Sequence, residues 1–366
     1  MIKIKDQDSF PAEARQSELI KAMRFPLICL VVIAHSAGAF PTPTVEWSLD
    51  GLNVFHYVAE MISRHFCGIG TCWFFVFSGF LLFYYLKDGE FSLEWVGAKW
   101  KKRIRSLLIP YLLWNLLAVL IIVFKNHFFQ FLSLSVQNEE LEMVRKGPLY
   151  WFFTGPADFP LWFLRDLMLL TLLAPLMYLF FKRFRWLSLS LLVLVYLSPL
   201  EPFIPTMRSV FFFFIGVWLG THRINLLTLC QRVKIPATII ALILLPIAAS
   251  QIGRPPHTFL LRLFYPFGMV VFMNICNKII ENKKKRDRLC TLSNSVFFIY
   301  AAHEIYILGW SKGICLRLFG TSLAGIWLRY LLVPVMVVMI CLTLYRILDK
   351  LMPRALSFAC GGRSKK

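Results

Sequence analysis

About ten apolar stretches, separated by short basic loops, constrain this chain more than any single motif. They lie near 20–40, 68–86, 107–125, 161–181, 186–200, 207–221, 235–251, 258–277, 292–310 and 322–346. A hydrocarbon core is about 30 Å thick and takes about 20 apolar helical residues to cross. Backbone groups in that core must be bonded internally, so stretches of this length are predicted to be helices. With 58% hydrophobic residues and a mean hydropathy of +0.64, the chain reads as an all-α polytopic membrane protein. A soluble domain around one large core does not have this composition.

The net charge of +20 invites a nucleic-acid reading, but the placement of the charge argues against it. With the N-terminus in the cytoplasm, the inside segments are Lys3 to Arg24, Lys87 to Arg105, Lys182 to Arg185, Arg223 to Lys234, Lys278 to Arg288 and the tail from Arg346. They hold 29 of the 40 Lys and Arg residues. That is the positive-inside pattern, and an even span count then leaves both termini cytoplasmic. Lys21, Arg24, the apolar run and Ala37-Gly38-Ala39 imitate a signal peptide. Cleavage would leave nine spans and spoil the alternation, so the first helix is read as retained.

The organisation is therefore a cytoplasmic segment at 1–18, a membrane-embedded domain at 19–346 and a cytoplasmic basic tail at 347–366. Two larger outer loops, 41–67 and 126–160, could cover an extracytoplasmic substrate or simply connect spans. Nine cysteines fall without a C-x-x-C pair, so neither a disulfide nor a zinc framework is expected. Cys67 or Cys72 could approach Cys315, although buried thiols are the plainer reading.

Ionisable groups inside spans mark candidate sites. Arg24 and His35 stand eleven residues apart in the first span. Eleven residues make three helical turns, so the two share a face about 16 Å apart along the axis. A neutral imidazole at that depth could act as a general base. In the ninth stretch, Phe298-Ile299-Tyr300-Ala301-Ala302-His303-Glu304 places a second histidine at similar depth, with an acid to orient a histidine, accept a proton or neutralise an arginine. The basic run Lys99 to Arg105 precedes Leu107-Leu108-Ile109-Pro110-Tyr111. Retention on the inside explains it, yet Lys102 and Arg105 are also i,i+3 neighbours at a helix N-terminal end that favours anions.

At the outer end of the fourth stretch lies Leu161-Trp162-Phe163-Leu164-Arg165-Asp166-Leu167, where two consecutive charges are expected to face different partners. Arg262 and Arg329 also fall in outward halves, and snorkelling to lipid phosphates accounts for some of these arginines. Phe74-Phe75-Val76-Phe77-Ser78-Gly79-Phe80 reads as a close-packing helix, with no local support for Ser78 as a nucleophile.

Taken in order over residues 19–345, these segments resemble the acyltransferase-3 family of bacterial integral membrane acyltransferases. The resemblance implies a ten-helix inner-membrane enzyme that takes an acyl group from cytoplasmic acyl-CoA, with acetyl-CoA the expected donor, and passes it to a hydroxyl of a lipid-linked or surface glycan. It implies catalytic roles for His35, His303 and Glu304, and coenzyme A binding by Arg24, Lys102, Arg103 and Arg105. The family's Arg-x-x-Arg falls on Lys102-Arg103-Ile104-Arg105. Lysine keeps the charge there but loses the planar fork. Trp162, Arg165 and Asp166 are expected to contact the acceptor, and no metal or nucleic acid is expected. His35 either deprotonates the acceptor or carries the acyl group. The alternative is a transporter that moves a glycan or small anion along the same charges without bond chemistry.

Overall fold

The computed structural model describes residues 9–37, 50–87, 89–132 and 138–362. Gly38-Ala39, the part of the first outer loop before residue 50 and Arg363 to Lys366 lie outside the described residues. The described chain is helical: α1 (Ser9–Ser36), α2 (Gly51–Glu60), α3 (Ile69–Phe83), α4 (Leu93–Arg103), α5 (Ile109–Phe131), α6 (Asn138–Arg145), α7 (Trp162–Arg183), α8 (Arg185–Leu197), α9 (Met207–Thr221), α10 (Leu226–Arg232), α11 (Lys234–Ser250), α12 (Pro256–Ile279), α13 (Lys283–Leu292), α14 (Val296–Ala302), α15 (Leu308–Phe319), α16 (Leu323–Leu351) and α17 (Pro353–Ala359).

The ten apolar stretches are mostly helical where the residues are described, and among the described residues six helical runs are long and apolar enough to cross a membrane. These are Ala12–Ser36, Gly51–Phe83, Leu93–Phe131, Phe159–Arg183, Pro256–Ile279 and Leu323–Leu351. The others are short or interrupted. Helices α8 and α11 run 13 and 17 residues, and α9 and α10 are bent by 105° from one another. The stretch at 292–310 breaks between α14 and α15. The protein is a multi-pass membrane protein in which several apolar segments are short or broken helices.

The surface fits that reading. Leu116, Leu120 and Phe124 on α5 are 50%, 57% and 71% exposed and four residues apart, which makes one apolar stripe. Ile235, Ile239, Leu242 and Ile243 on α11 and Leu331, Val335 and Met339 on α16 make two more. Stripes of this extent face hydrocarbon rather than water.

Helices α3 and α9 form the tightest contact of the core. A Cβ on Gly79 would collide with the Phe213 carbonyl, and one on Gly216 or Gly220 with the carbonyl of Val76 or Phe80. Buried Phe75, Phe80, Phe83, Phe212 and Phe213 fill the space around this seam. The close-packing reading of Ser78-Gly79 holds, and its partner is the small-residue pair Gly216-x-x-x-Gly220.

Four basic segments gather at one end of the bundle. Arg286 pairs with Glu18 at 3.3 Å, and Arg15 donates to Asn277 and to the Ile280 carbonyl. Arg223 donates to the Leu86 carbonyl, and the Leu226 N–H donates to Gln16. At the opposite end Tyr57 donates to the Pro246 carbonyl, and His65 meets His257. All nine cysteines are free thiols.

Candidate functional site

An elongated cavity of about 590 Å³ runs beside α1. Lys21, Arg24 and Arg103 line it together with Ser17, Ser293 and Asn294, and His35 lines it as well. The three-turn spacing thus puts Arg24 and His35 on one wall of one cavity. Its middle is apolar, walled by Ile28, Val31, Phe74, Phe77, Phe163 and Tyr300. Ser78 reaches the same wall, as does Trp162.

At the His35 end three ionisable groups meet. His35 Nδ1 lies 3.0 Å from Glu304 Oε2, and the imidazole rings of His35 and His303 stand edge to face with centroids 5.0 Å apart. The tautomer that satisfies this bond donates Nδ1–H to the carboxylate and leaves the lone pair on Nε2. His303 is fully buried and its Nδ1–H donates to the Ile299 and Tyr300 carbonyls at 3.0 and 2.9 Å. Its Nε2 therefore also carries a lone pair, 3.9 Å from Glu304 Oε2.

A regular helix would not turn both His303 and Glu304 toward His35, because consecutive side chains point about 100° apart. The chain here is not regular. A π turn spans His303–Ile307, and Ile305 and Tyr306 leave helical φ/ψ. Tyr306 sits at φ +58°, in the left-handed region that side chains with a Cβ rarely enter. Breaks of this kind concentrate at functional sites, and this one releases Glu304 to reach α1. Lys312, one helix further on, donates to the His35 carbonyl at 3.1 Å and ties α15 to the end of α1.

One nitrogen from each histidine and a Glu304 oxygen lie within 4.8 Å of one another, a donor set able to hold a metal ion. The hydrogen bond from His35 accounts for the same carboxylate without one.

A strap over residues 155–161 covers the cluster. Phe159 lies edge-on to the His35 ring at 5.9 Å, and Pro160 lines the cavity. The strap is held by Asn115, which accepts the Ala157 N–H at 2.8 Å, and by Tyr300, which donates to the Pro160 carbonyl at 2.7 Å.

Several expected site residues stand elsewhere. Lys102 and Arg105 are exposed and do not line the cavity, whereas Arg103 between them does. The expectation that Arg165 and Asp166 face different partners is corrected. Arg165 Nε and Nη2 donate to Asp166 Oδ1 at 3.2 and 3.0 Å, and Nη1 donates to the Thr154 carbonyl. Asp166 is fully buried, and its Oδ2 accepts the Thr206 N–H and the Ser209 hydroxyl at 3.0 and 2.7 Å. Both sit at the start of α7, and their partners tie it to the N-terminal end of α9. Arg262 similarly donates to the Ser198 and Leu200 carbonyls and pairs with Glu201.

The sequence reading passed over Asp158, which is 2% exposed within the strap, and over Lys312.

Comparison with known proteins fits this geometry. The succinoglycan biosynthesis protein ExoH of Rhizobium meliloti (strain 1021) is 26% identical over 380 residues, covering 96% of this chain and 94% of that protein. No solved structure matches. The family model described as an acyltransferase domain matches residues 18–346, which carry most of α1, the cavity lining except Ser17 and the His35–Glu304 pair, and the chain belongs to the acyltransferase-3 family.

Proposed function

We propose that this protein transfers a short acyl group, acetyl in the simplest case, from cytoplasmic acyl-CoA to a hydroxyl of an exopolysaccharide or its lipid-linked precursor. The observation that carries the reading is the single cavity with Lys21, Arg24 and Arg103 at one end and the His35–Glu304 pair at the other. The family supports acyl transfer, and the named relative supports a polysaccharide acceptor. Because the basic segments share one end, the positive-inside rule favours the cytoplasm for that end, and a cytoplasmic acyl donor suits an inner-membrane location.

Phosphates of coenzyme A bind the cationic end through charge-assisted hydrogen bonds. Lys102 and Arg105, outside the lining, add to the local field. The thioester lies along the apolar middle and brings its carbonyl to His35. The acceptor hydroxyl gives its proton to His35 Nε2 while its oxygen attacks the carbonyl carbon. As the C–S bond breaks, the thiolate takes that proton from His35, so an ester and free coenzyme A leave with no net proton change. Glu304 holds the imidazole in the required tautomer and stabilises its cation, as an orienting acid does for other histidine bases. Trp162 offers a ring at the cavity wall for the acceptor.

A proton-coupled transporter can also hold a histidine–carboxylate pair, and it is the acyltransferase family that favours the enzyme. Purified protein in nanodiscs, given labelled short-chain acyl-CoA and exopolysaccharide from cells lacking the protein, is expected to label the glycan. His35→Ala is expected to lower that transfer at least about 10²-fold, the ordinary contribution of a general base. Full transfer by H35A would falsify the assignment of the base.

A further inference from the structure

Asp158 stands out among the buried polar groups that the transfer chemistry leaves unused. It is 2% exposed, and among the described residues neither carboxyl oxygen has a hydrogen-bond partner. Nor does it do the ordinary work of an acid at a helix start. It occupies the N-cap of the short 3-10 turn Phe159–Leu161, yet its side chain caps nothing. The turn is closed instead by its own carbonyl, which accepts the Leu161 N–H at 3.0 Å. The rest of the strap is held by Asn115 and Tyr300, so the fold of this segment does not depend on the Asp158 carboxyl.

An orphaned buried carboxyl is costly, and native structures hold few of them. This one adjoins Phe159, whose ring lies against His35, and Pro160, which lines the cavity. We propose that Asp158 is an acceptor-binding residue, its buried and unpartnered carboxyl supplying hydrogen bonds to hydroxyl groups of the glycan that comes to His35. The assignment rests on the reading of the chain as a glycan acyltransferase.

The electrostatics agree with that use. Burial, and then the nearby Glu304 charge, push the Asp158 carboxyl well above the usual carboxylate range. The neutral form is thereby favoured, and in that form the group presents one O–H donor and one carbonyl acceptor. Sugar hydroxyls also both donate and accept, so a neutral carboxyl can bond two of them at once. An apolar acceptor would leave the carboxyl unpaired, and a polyhydroxyl one would not.

The test uses the full chain in nanodiscs with labelled acetyl-CoA and exopolysaccharide isolated from cells lacking the protein. Asp158→Asn and Asp158→Leu are expected to raise the glycan KM at least tenfold, with the acetyl-CoA KM within twofold of the parent. Without substrates, D158L is expected to raise the thermal midpoint by about 2 °C or more, because it removes a buried polar group that the fold does not use. A glycan KM within twofold of the parent, or a midpoint several degrees lower, overturns the assignment and makes Asp158 a structural residue. If the parent protein itself labels no glycan, the acyltransferase reading fails, and this assignment fails with it.

Discussion

The lone pair of a histidine base is useful only where the substrate can reach it, and at His35 a single partner decides that. The Glu304 carboxylate can only accept at Nδ1, so the ring proton stays there and Nε2 stays basic. Glu304→Gln keeps the volume but offers an amide N–H to the same nitrogen, which favours the opposite tautomer. The expected result is a kcat lower by about 10²- to 10⁴-fold with acyl-CoA affinity within a few-fold, read by single-turnover transfer and equilibrium binding. Dialysis against EDTA is expected to leave the parent rate intact. A loss restored by a divalent ion would instead make the two histidines and Glu304 a metal site. His35, His303 and Glu304 were legible in the sequence because ionisable residues inside apolar runs are rare and expensive. Asp158 was not, because its loop mixes apolar and polar residues and nothing local says that its carboxyl will be enclosed.

At the scale of elements, small residues decide how near two helices come, and here three glycines hold α3 against α9. The backbone carbonyls facing Gly79, Gly216 and Gly220 cannot rotate aside as the tip of a side chain could. Gly79→Ala and Gly216→Ala are each expected to destabilise the protein by about 1–3 kcal/mol, the usual cost of overpacking. Gly97→Ala, whose added Cβ meets nothing within 4 Å, is the matched control. Thermal midpoints in detergent check the ordering, and a G216A protein as stable as G97A would contradict the close seam. The sequence carried the first half of this seam in Ser78-Gly79, whereas its partner at Gly216-x-x-x-Gly220 passed unremarked because glycines are common in membrane helices. Hydropathy likewise located the long apolar helices, but not the helical run over 51–66, read as part of an outer loop, nor the breaks between α9 and α10 or within 303–307. Composition measures how apolar a segment is, and tertiary bonds decide whether it runs straight.

The whole molecule is polarised. Its basic segments converge at one end, and the cavity carries that polarity inward as far as His35. The gathering of the loops was legible from their charge alone. Which cations face the cavity was not, because a run of five basic residues among seven has one face per turn and the sequence does not say which is turned inward. Arg103 lines the wall, while Lys102 and Arg105 point to the exterior. Donor binding should therefore rank the cations by position rather than by charge. Arg24→Ala and Arg103→Ala are each expected to weaken acyl-CoA binding about tenfold, or about 1.4 kcal/mol, and Lys102→Ala and Arg105→Ala less. Arg103 is also half-buried and so screened less than Lys102 and Arg105, which are exposed as Arg24 is. Raising the salt from about 50 to 500 mM should erase most of the K102A and R105A effects while leaving most of the R103A effect, measured by titration in nanodiscs. If Lys102 and Arg105 prove the larger and more salt-resistant contributors, the donor phosphates lie outside the cavity, and the path from Arg24 to His35 does not carry the acyl group.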